Sequence, residues 1–172
     1  LFFEPTFYRI RVLKTPHHMG FVDVILKVFP GAKIIQTHRS PLETIPSYCS
    51  MVSTLAEPLS NKSFSKNLGK HWEEKLARTL SHCMEVSNQY PDQFLDINYY
   101  DLISKPIEKM EDIYKFLDKP YSEEAKKEML LWTEKNNQNK HGNHIYTAEN
   151  YGINNSKILK DFNEYIKKYD LT

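Results

Sequence analysis

Apolar residues recur along most of the chain at the spacing of amphipathic helices. In residues 19–29 and 70–90 they return every three or four positions, which predicts two helices, the second a long one that covers the fold. Shorter apolar runs at 32–37 and 94–99 are typical of strands. The chain therefore mixes helices with short strands.

Residues 8–14 alternate and lead into Thr15-Pro16, which predicts a strand that ends at the proline. Followed by the helix at 19–29 and the strand at 32–37, it forms a β-α-β unit. The two strands of such a unit are parallel, so the pattern favours an α/β layered fold.

A strong helix start follows the strand at 32–37. Ser40 offers an N-cap hydroxyl, Pro41 suits the first helical position, and Glu43 stands at the capping-box position. Pro46 cannot donate to the carbonyl of Leu42, so we expect a kink there.

Downstream, capping residues and periodicity predict three more helices, at 106–117, 122–135 and 155–169. Residues 136–142 are polar and basic and predict a loop. The chain has 172 residues, the length of one ordinary domain, so we predict a single domain over residues 1–172.

The charge balance argues against a polyanionic or membrane partner. The 23 basic and 22 acidic residues give a net charge of +1, so any anion site must be local. No apolar run approaches the roughly 20 residues of a membrane helix. Cys49 and Cys83 are far apart in predicted helices, which favours reduced thiols. We expect a cytoplasmic protein without a nucleic-acid partner or a membrane segment.

Histidines are common enough to raise the question of a metal site. The histidines to consider are His17, His18, His38, His141 and His144. None of them has a recognised zinc spacing with a carboxylate or thiolate partner, so we expect no metal.

The pattern of greatest chemical interest is an arginine between a strand and a helix. Arg39 follows the predicted strand and precedes the helix N-terminus, where open α/β sheets bind ligands. Backbone N–H groups and a guanidinium favour a phosphate there. Ser47 lies two helical turns beyond Ser40 and predicts a second ligand on the same side. The alternative is a surface ion pair for Arg39 and a purely capping role for Ser40.

Lys14, His17 and His18 follow the predicted strand at 8–14. Since parallel strands end on the same edge of a sheet, these side chains are expected near Arg39. A histidine can accept a proton at neutral pH, and a lysine can stabilise negative charge on a transferred group. Surface or capping histidines are the alternative.

These motifs, in this order, resemble the PAPS-dependent sulfotransferases, and most closely their bacterial-type branch (PAPS, 3′-phosphoadenosine 5′-phosphosulfate). The resemblance rests on the segments Lys14-Thr15-Pro16-x-His18, Phe29-Pro30-Gly31-Ala32-Lys33 and Gln36-Thr37-His38-Arg39-Ser40-Pro41, then Pro46-Ser47, Asn98-Tyr99-Tyr100-Asp101-Leu102 and Lys140-His141-Gly142. It extends over essentially the whole chain.

The resemblance implies a P-loop-NTPase-like three-layer α/β sandwich and transfer of a sulfuryl group from PAPS, without a metal, to a hydroxyl or amine of a small molecule or glycan. It makes Arg39 and Ser47 the ligands of the nucleotide 3′-phosphate, with Lys140 and His141 close by, and places Tyr99 near the adenine. His18 becomes the general base, with His17 as a rival, and Lys14 the cation beside the sulfuryl group.

The family also uses an upstream glycine- and serine-rich loop that cradles the 5′-phosphosulfate. The thirteen residues before Lys14 contain no glycine, serine or lysine. We therefore expect a C-terminal portion of a sulfotransferase whose N-terminal part is missing. A non-catalytic domain that binds adenosine 3′,5′-bisphosphate (PAP) is the alternative. A P-loop kinase relative is disfavoured, because no Walker lysine or magnesium-binding acidic motif is present.

Overall fold

The structure is a computed structural model that describes residues 11–59, 65–136 and 147–171. Two strands are found in the described part, β1 (Ile34–His38) and β2 (Phe94–Asn98). The α-helices found there are α1 (Val22–Val28), α2 (Pro41–Ala56), α3 (Ser65–Gln89), α4 (Tyr99–Ser104), α5 (Pro106–Phe116), α6 (Glu123–Lys135), α7 (Asn155–Asp161) and α8 (Asn163–Tyr169). Short 3₁₀ turns cover Pro16–Phe21, Glu57–Leu59, Pro91–Gln93 and Ala148–Tyr151.

The two strands form a parallel pair. Ile34 lies opposite Phe94 and His38 opposite Asn98, and the chain crosses from one strand to the other through α2 and α3. Parallel strands need such a crossover because the chain must return to the same end of the sheet. The predicted strands at 32–37 and 94–99 are confirmed within two residues, and so is the α/β class.

Helix α2 begins at Pro41, as predicted, and the N–H groups of Glu43 and Thr44 both donate to the Ser40 carbonyl at 3.0 Å. The predicted capping-box role of Glu43 is wrong. Its two carboxylate oxygens accept hydrogen bonds from Arg39 and Tyr100 instead. A charged guanidinium is a stronger partner for a carboxylate than a backbone amide.

The three other predicted helices of the C-terminal half are also present, the last in two parts. Helix α6 is capped as predicted, since Ser122 Oγ accepts from the Ala125 N–H at 3.1 Å. The helix predicted over 155–169 divides into α7 and α8 at Phe162, whose backbone turns out of the helical region. Phe162, Tyr165 and Ile166 are all buried, so the predicted apolar face is kept across the break. The predicted loop at 136–142 lies outside the described residues from 137 onward.

The strand predicted over residues 8–14 is wrong for its described part, residues 11–14, which have no regular structure. Val12 and Leu13 are 86% and 68% exposed. A strand is stabilised by hydrogen bonds to a neighbouring strand and by burial of one face, and residues 11–14 have neither.

Two clusters form the core of the described residues. The larger unites α2, α3, α7 and α8 around the buried side chains of Ile45, Cys49, Ile158 and Phe162. The smaller joins α1 and α3 to both strands around Leu26, Cys83, Val86 and Phe94. Both cysteines are free, and burial raises the pKa of each thiol to about 11.

Candidate functional site

The candidate site lies where the carboxyl ends of both strands meet. Arg39 directly follows β1, and Tyr99 directly follows β2 as the first residue of α4. Because the strands are parallel and in register, both residues emerge at the same edge of the sheet. The Arg39 guanidinium carbon lies 4.5 Å from the centroid of the Tyr99 ring, within the range of a cation–π contact.

Glu43 holds the Arg39 side chain from one turn into α2. Its Oε2 accepts from Arg39 Nε at 2.7 Å and from Nη2 at 2.5 Å. Burial by itself would lower the pKa of Arg39, but the hydrogen bond and the negative charge of Glu43 raise it above the usual value. The Arg39 side chain is 32% exposed. It is therefore oriented by the protein and still open to a ligand.

Tyr100 completes this arrangement from α4, since its hydroxyl donates to Glu43 Oε1. Burial works to raise the pKa of Glu43, but the hydrogen bonds from Tyr100 and Arg39 lower it below its usual value. Glu43 is thus a carboxylate at neutral pH. Arg39, Glu43 and Tyr100 tie the start of α2 to the start of α4.

A cavity of about 530 Å³ opens beside Arg39. Arg39, Tyr99 and His17 contribute to its wall, together with aromatic side chains of α2, α3 and α8: Tyr48, Trp72 and Tyr165. Its size and its mixture of aromatic walls with a few polar groups are those of a small-molecule site.

Comparison with known proteins places this arrangement in a family. The sequence profile described as the sulfotransferase family matches residues 2–123. The chain belongs to the sulfotransferase family. Stf3 of Mycobacterium tuberculosis, the omega-hydroxy-beta-dihydromenaquinone-9 sulfotransferase, is 28% identical over 125 residues, which are 67% of this chain and 31% of Stf3.

Two solved sulfotransferase structures share the fold. STF9 from Mycobacterium avium superposes with a TM-score of 0.79 at 23% identity, over 93% of this chain and 42% of STF9. STF1 from Mycobacterium tuberculosis H37Rv gives a TM-score of 0.73 at 27% identity, over 87% of this chain and 38% of STF1. The chain spans less than half the length of these sulfotransferases.

Within this sulfotransferase fold, the predicted site residues are only partly assembled. Arg39, Tyr99 and His17 line the same cavity, whereas Lys14, His18 and Ser47 are not part of its wall. Lys14 is exposed, while His18 and Ser47 are half-buried. His17 Nδ1 lies 3.3 Å from the hydroxyl of its neighbour Thr15. Lys140 and His141 lie outside the described residues.

Sequence reasoning did not find the wall that α3 contributes. Trp72 packs edge-on against Tyr48 at 4.5 Å, and Lys75 lies 4.7 Å from the Trp72 ring centroid. Among the described residues, the buried Trp72 indole N–H has no hydrogen-bond partner. The signal was present in the helical spacing of Leu68, Trp72 and Leu76, but that pattern equally predicts an ordinary core face.

Sequence reasoning also missed what His38 does. Its ring is 1% exposed, with Nε2 2.8 Å from Asp96 Oδ1 and Nδ1 3.1 Å from the Tyr165 hydroxyl. Tyr169 stacks on the ring with centroids 3.5 Å apart. His38 is thus buried, with a hydrogen-bond partner for each ring nitrogen. Because it directly precedes Arg39 in the chain, it connects the site to α8.

Metal-binding groups and membrane-spanning helices are both absent from the part of the chain that the structure describes. In 11–59, 65–136 and 147–171, no group of three or more His, Cys, Asp or Glu side chains could hold a metal ion. Within the same ranges, no helix has the length and apolar character needed to cross a membrane.

Proposed function

We propose that this chain provides the 3′-phosphate and adenine site of a PAPS-dependent sulfotransferase. The observation that carries the proposal is Arg39, held by Glu43 and by the Tyr99 ring at the mouth of a cavity that fits a small molecule. A fixed guanidinium at the carboxyl edge of a parallel sheet suits a phosphate monoester, because its N–H groups match two phosphate oxygens at once.

The geometry of the guanidinium suggests which edge receives the phosphate. Glu43 takes the Nε–Nη2 side of Arg39, and we assign the end-on edge between Nη1 and Nη2 to the 3′-phosphate. Ser47, farther along α2, is the second proposed ligand through its hydroxyl. Lys140 and His141 are proposed to approach the same phosphate.

Tyr99 is the proposed neighbour of the adenine. The carbon of the Arg39 guanidinium lies 4.5 Å from the centroid of its ring. A base and a tyrosine ring stack favourably, at about 1–3 kcal/mol per contact. Arg39 and Tyr99 would then recognise adjacent parts of one nucleotide.

For the chemical step we propose attack of an acceptor hydroxyl or amine on the sulfur of PAPS. The new bond joins the acceptor atom to sulfur, the bond from sulfur to the 5′-phosphate oxygen breaks, and PAP leaves with that electron pair. His18 would take the acceptor proton, with His17 as its rival, and Lys14 would stabilise charge on the sulfuryl group. The relative Stf3, by its name, acts on a hydroxylated dihydromenaquinone, which supports a hydroxyl acceptor.

A non-catalytic PAP-binding domain is the second candidate. It is favoured by one observation: neither Lys14 nor His18 contributes to the cavity that Arg39 lines. Such a domain would bind PAP through Arg39 and Tyr99 but transfer no sulfate.

Transfer of radiolabelled sulfate from PAPS to a panel of hydroxyl and amine acceptors separates the two candidates. We expect labelled product with at least one hydroxyl acceptor, and competitive inhibition by PAP. Binding of PAP without product from any acceptor would leave the binding domain as the function. Absence of both would contradict both candidates.

A further inference from the structure

A chain of hydrogen bonds centred on the buried His38 runs from the sheet to the C-terminal helix, next to Arg39. His38, the last residue of β1, bridges Asp96 on β2 and Tyr165 on α8. His38 and Tyr165 are 127 positions apart in sequence. The bridge therefore joins elements that only the complete fold brings together.

One direction in this chain follows from chemistry alone. A carboxylate only accepts, so the Nε2–H group of His38 donates to Asp96. The other ring nitrogen, Nδ1, is hydrogen-bonded to the Tyr165 hydroxyl at 3.1 Å. Burial raises the pKa of Tyr165, so the phenol stays protonated. Tyr169 covers the ring and excludes water from it.

Tyr165 is also linked to Arg39. Tyr165 lines the same cavity as Arg39, and its hydroxyl is hydrogen-bonded to the ring of His38, the residue directly before Arg39. Whatever fixes His38 therefore also fixes the point from which the Arg39 side chain begins.

We propose that His38 and Tyr165 are positioning residues that hold Arg39 in register for the nucleotide 3′-phosphate. The inference rests on the proposed function, since it concerns how that phosphate is recognised. Glu43 orients the guanidinium from the side of α2, and the Asp96–His38–Tyr165 chain fixes the backbone from the side of α8. Bidentate recognition needs both, because a small displacement of the backbone misaligns two hydrogen bonds together.

The test compares two ligands that differ only in the 3′-phosphate: PAP and adenosine 5′-monophosphate (AMP). Calorimetry of the 172-residue chain gives an affinity ratio between them, which reports the 3′-phosphate alone. In Tyr165→Phe we expect PAP affinity to fall by about 3- to 10-fold, since one hydrogen bond is lost. AMP affinity should stay within about twofold, because its binding does not use Arg39.

Tyr169→Phe is the matched control. It keeps an aromatic ring on His38 and leaves the chain from Asp96 to Tyr165 intact, so both affinities should stay at the wild-type value. Circular dichroism and thermal unfolding confirm that each variant is folded.

Asp96→Ala is a second variant in case Tyr165→Phe does not fold. Asp96 is 36% exposed, so its removal disturbs packing little. Loss of a negative charge alone would strengthen phosphate binding slightly, whereas loss of the acceptor for His38 predicts a 2- to 3-fold weaker PAP affinity.

The outcomes separate the inference from the function on which it rests. A wild-type chain that binds PAP no better than AMP would contradict the proposed function, and this inference with it. A wild-type chain that prefers PAP, with variants that keep the full ratio, would contradict only the inference. Equal losses for both ligands would also overturn it, because they indicate general loosening of the site.

Discussion

The junction of β1 with α2 and the segment around residues 14–18 differ in how their charged side chains are held. Arg39 has a carboxylate partner, Glu43, in the first turn of the following helix α2, and an aromatic ring from α4. Lys14 is exposed, and His17 pairs with its neighbour Thr15. The proposed phosphate ligand is fixed by long-range packing, whereas the proposed proton acceptor is held locally.

On the proposed function, nucleotide recognition and the chemical step depend on side chains that the fold holds in different ways. Preorganised charges bind a ligand without first having to be ordered. The Arg39 side is therefore expected to bind the nucleotide unaided. The Lys14 side, by contrast, is expected to contribute to transfer and little to nucleotide affinity.

The largest effect on PAP affinity is expected when the Arg39 side chain is removed. In Arg39→Ala we expect PAP affinity to fall by about 30- to 150-fold, since losing a charge-assisted phosphate contact costs about 2–3 kcal/mol. Calorimetry with PAP measures the loss. Arg78→Ala, which removes an exposed arginine of α3, is the control and should bind as the wild type. Wild-type affinity in Arg39→Ala would refute the assignment.

The next effect is on stability and concerns the close packing of α3 against residue 151. A Cβ on Gly69 of α3 would lie 2.4 Å from the Tyr151 carbonyl oxygen, so Gly69→Ala must push two backbone segments apart. We expect a loss of about 1–2 kcal/mol in the free energy of unfolding, which lowers Tm by several degrees.

Thermal unfolding of Gly31→Ala provides the control, because a Cβ at that position meets nothing within 4 Å. Its Tm should match or slightly exceed that of the wild type. Equal Tm values for both variants would mean that α3 does not approach residue 151 as closely as described.

A smaller effect is expected at Ser47. Ser47→Ala should weaken PAP binding by about 2- to 12-fold, as for one hydroxyl contact worth about 0.5–1.5 kcal/mol. Ser50→Ala, on the same helix, should bind normally. If the two variants bind PAP equally, Ser47 is not a phosphate ligand and Arg39 acts without it.

The smallest effect on PAP affinity is expected for the histidines of the segment around residues 14–18. His17→Ala and His18→Ala should each leave PAP affinity within about twofold of the wild type, because neither side chain is proposed to touch the nucleotide. In the sulfate-transfer assay, the substitution that removes the general base, His18 or its alternative His17, should abolish formation of the labelled product. A large loss of PAP affinity in His18→Ala would show that the two regions are not separate.

The sequence was informative wherever a local rule applied. Pro41 and Ser122 mark helix starts by their own chemistry, and the short apolar runs predict both strands of the parallel pair. Membership of the sulfotransferase family was likewise readable, because motif order survives along the chain.

What the sequence could not supply depends on contacts between distant segments. The alternation of residues 11–14 predicts a strand, but a strand requires a partner that no local rule provides. Glu43 satisfies the capping-box rule, yet Tyr100 from another helix, together with Arg39, takes its carboxylate. No pattern in the sequence predicts that His38 bonds to Tyr165. The residues of α3 that line the cavity have the same helical spacing as residues of an ordinary core face, so the sequence does not distinguish the two.

Calorimetry of the wild-type chain with PAP and with AMP, under identical buffer and salt, tests directly whether Arg39 recognises a 3′-phosphate. We expect PAP to bind at least 10-fold more tightly, because the 3′-phosphate adds contacts worth about 1.4 kcal/mol or more at Arg39. Equal affinity for the two nucleotides, or no binding of either, would contradict this expectation.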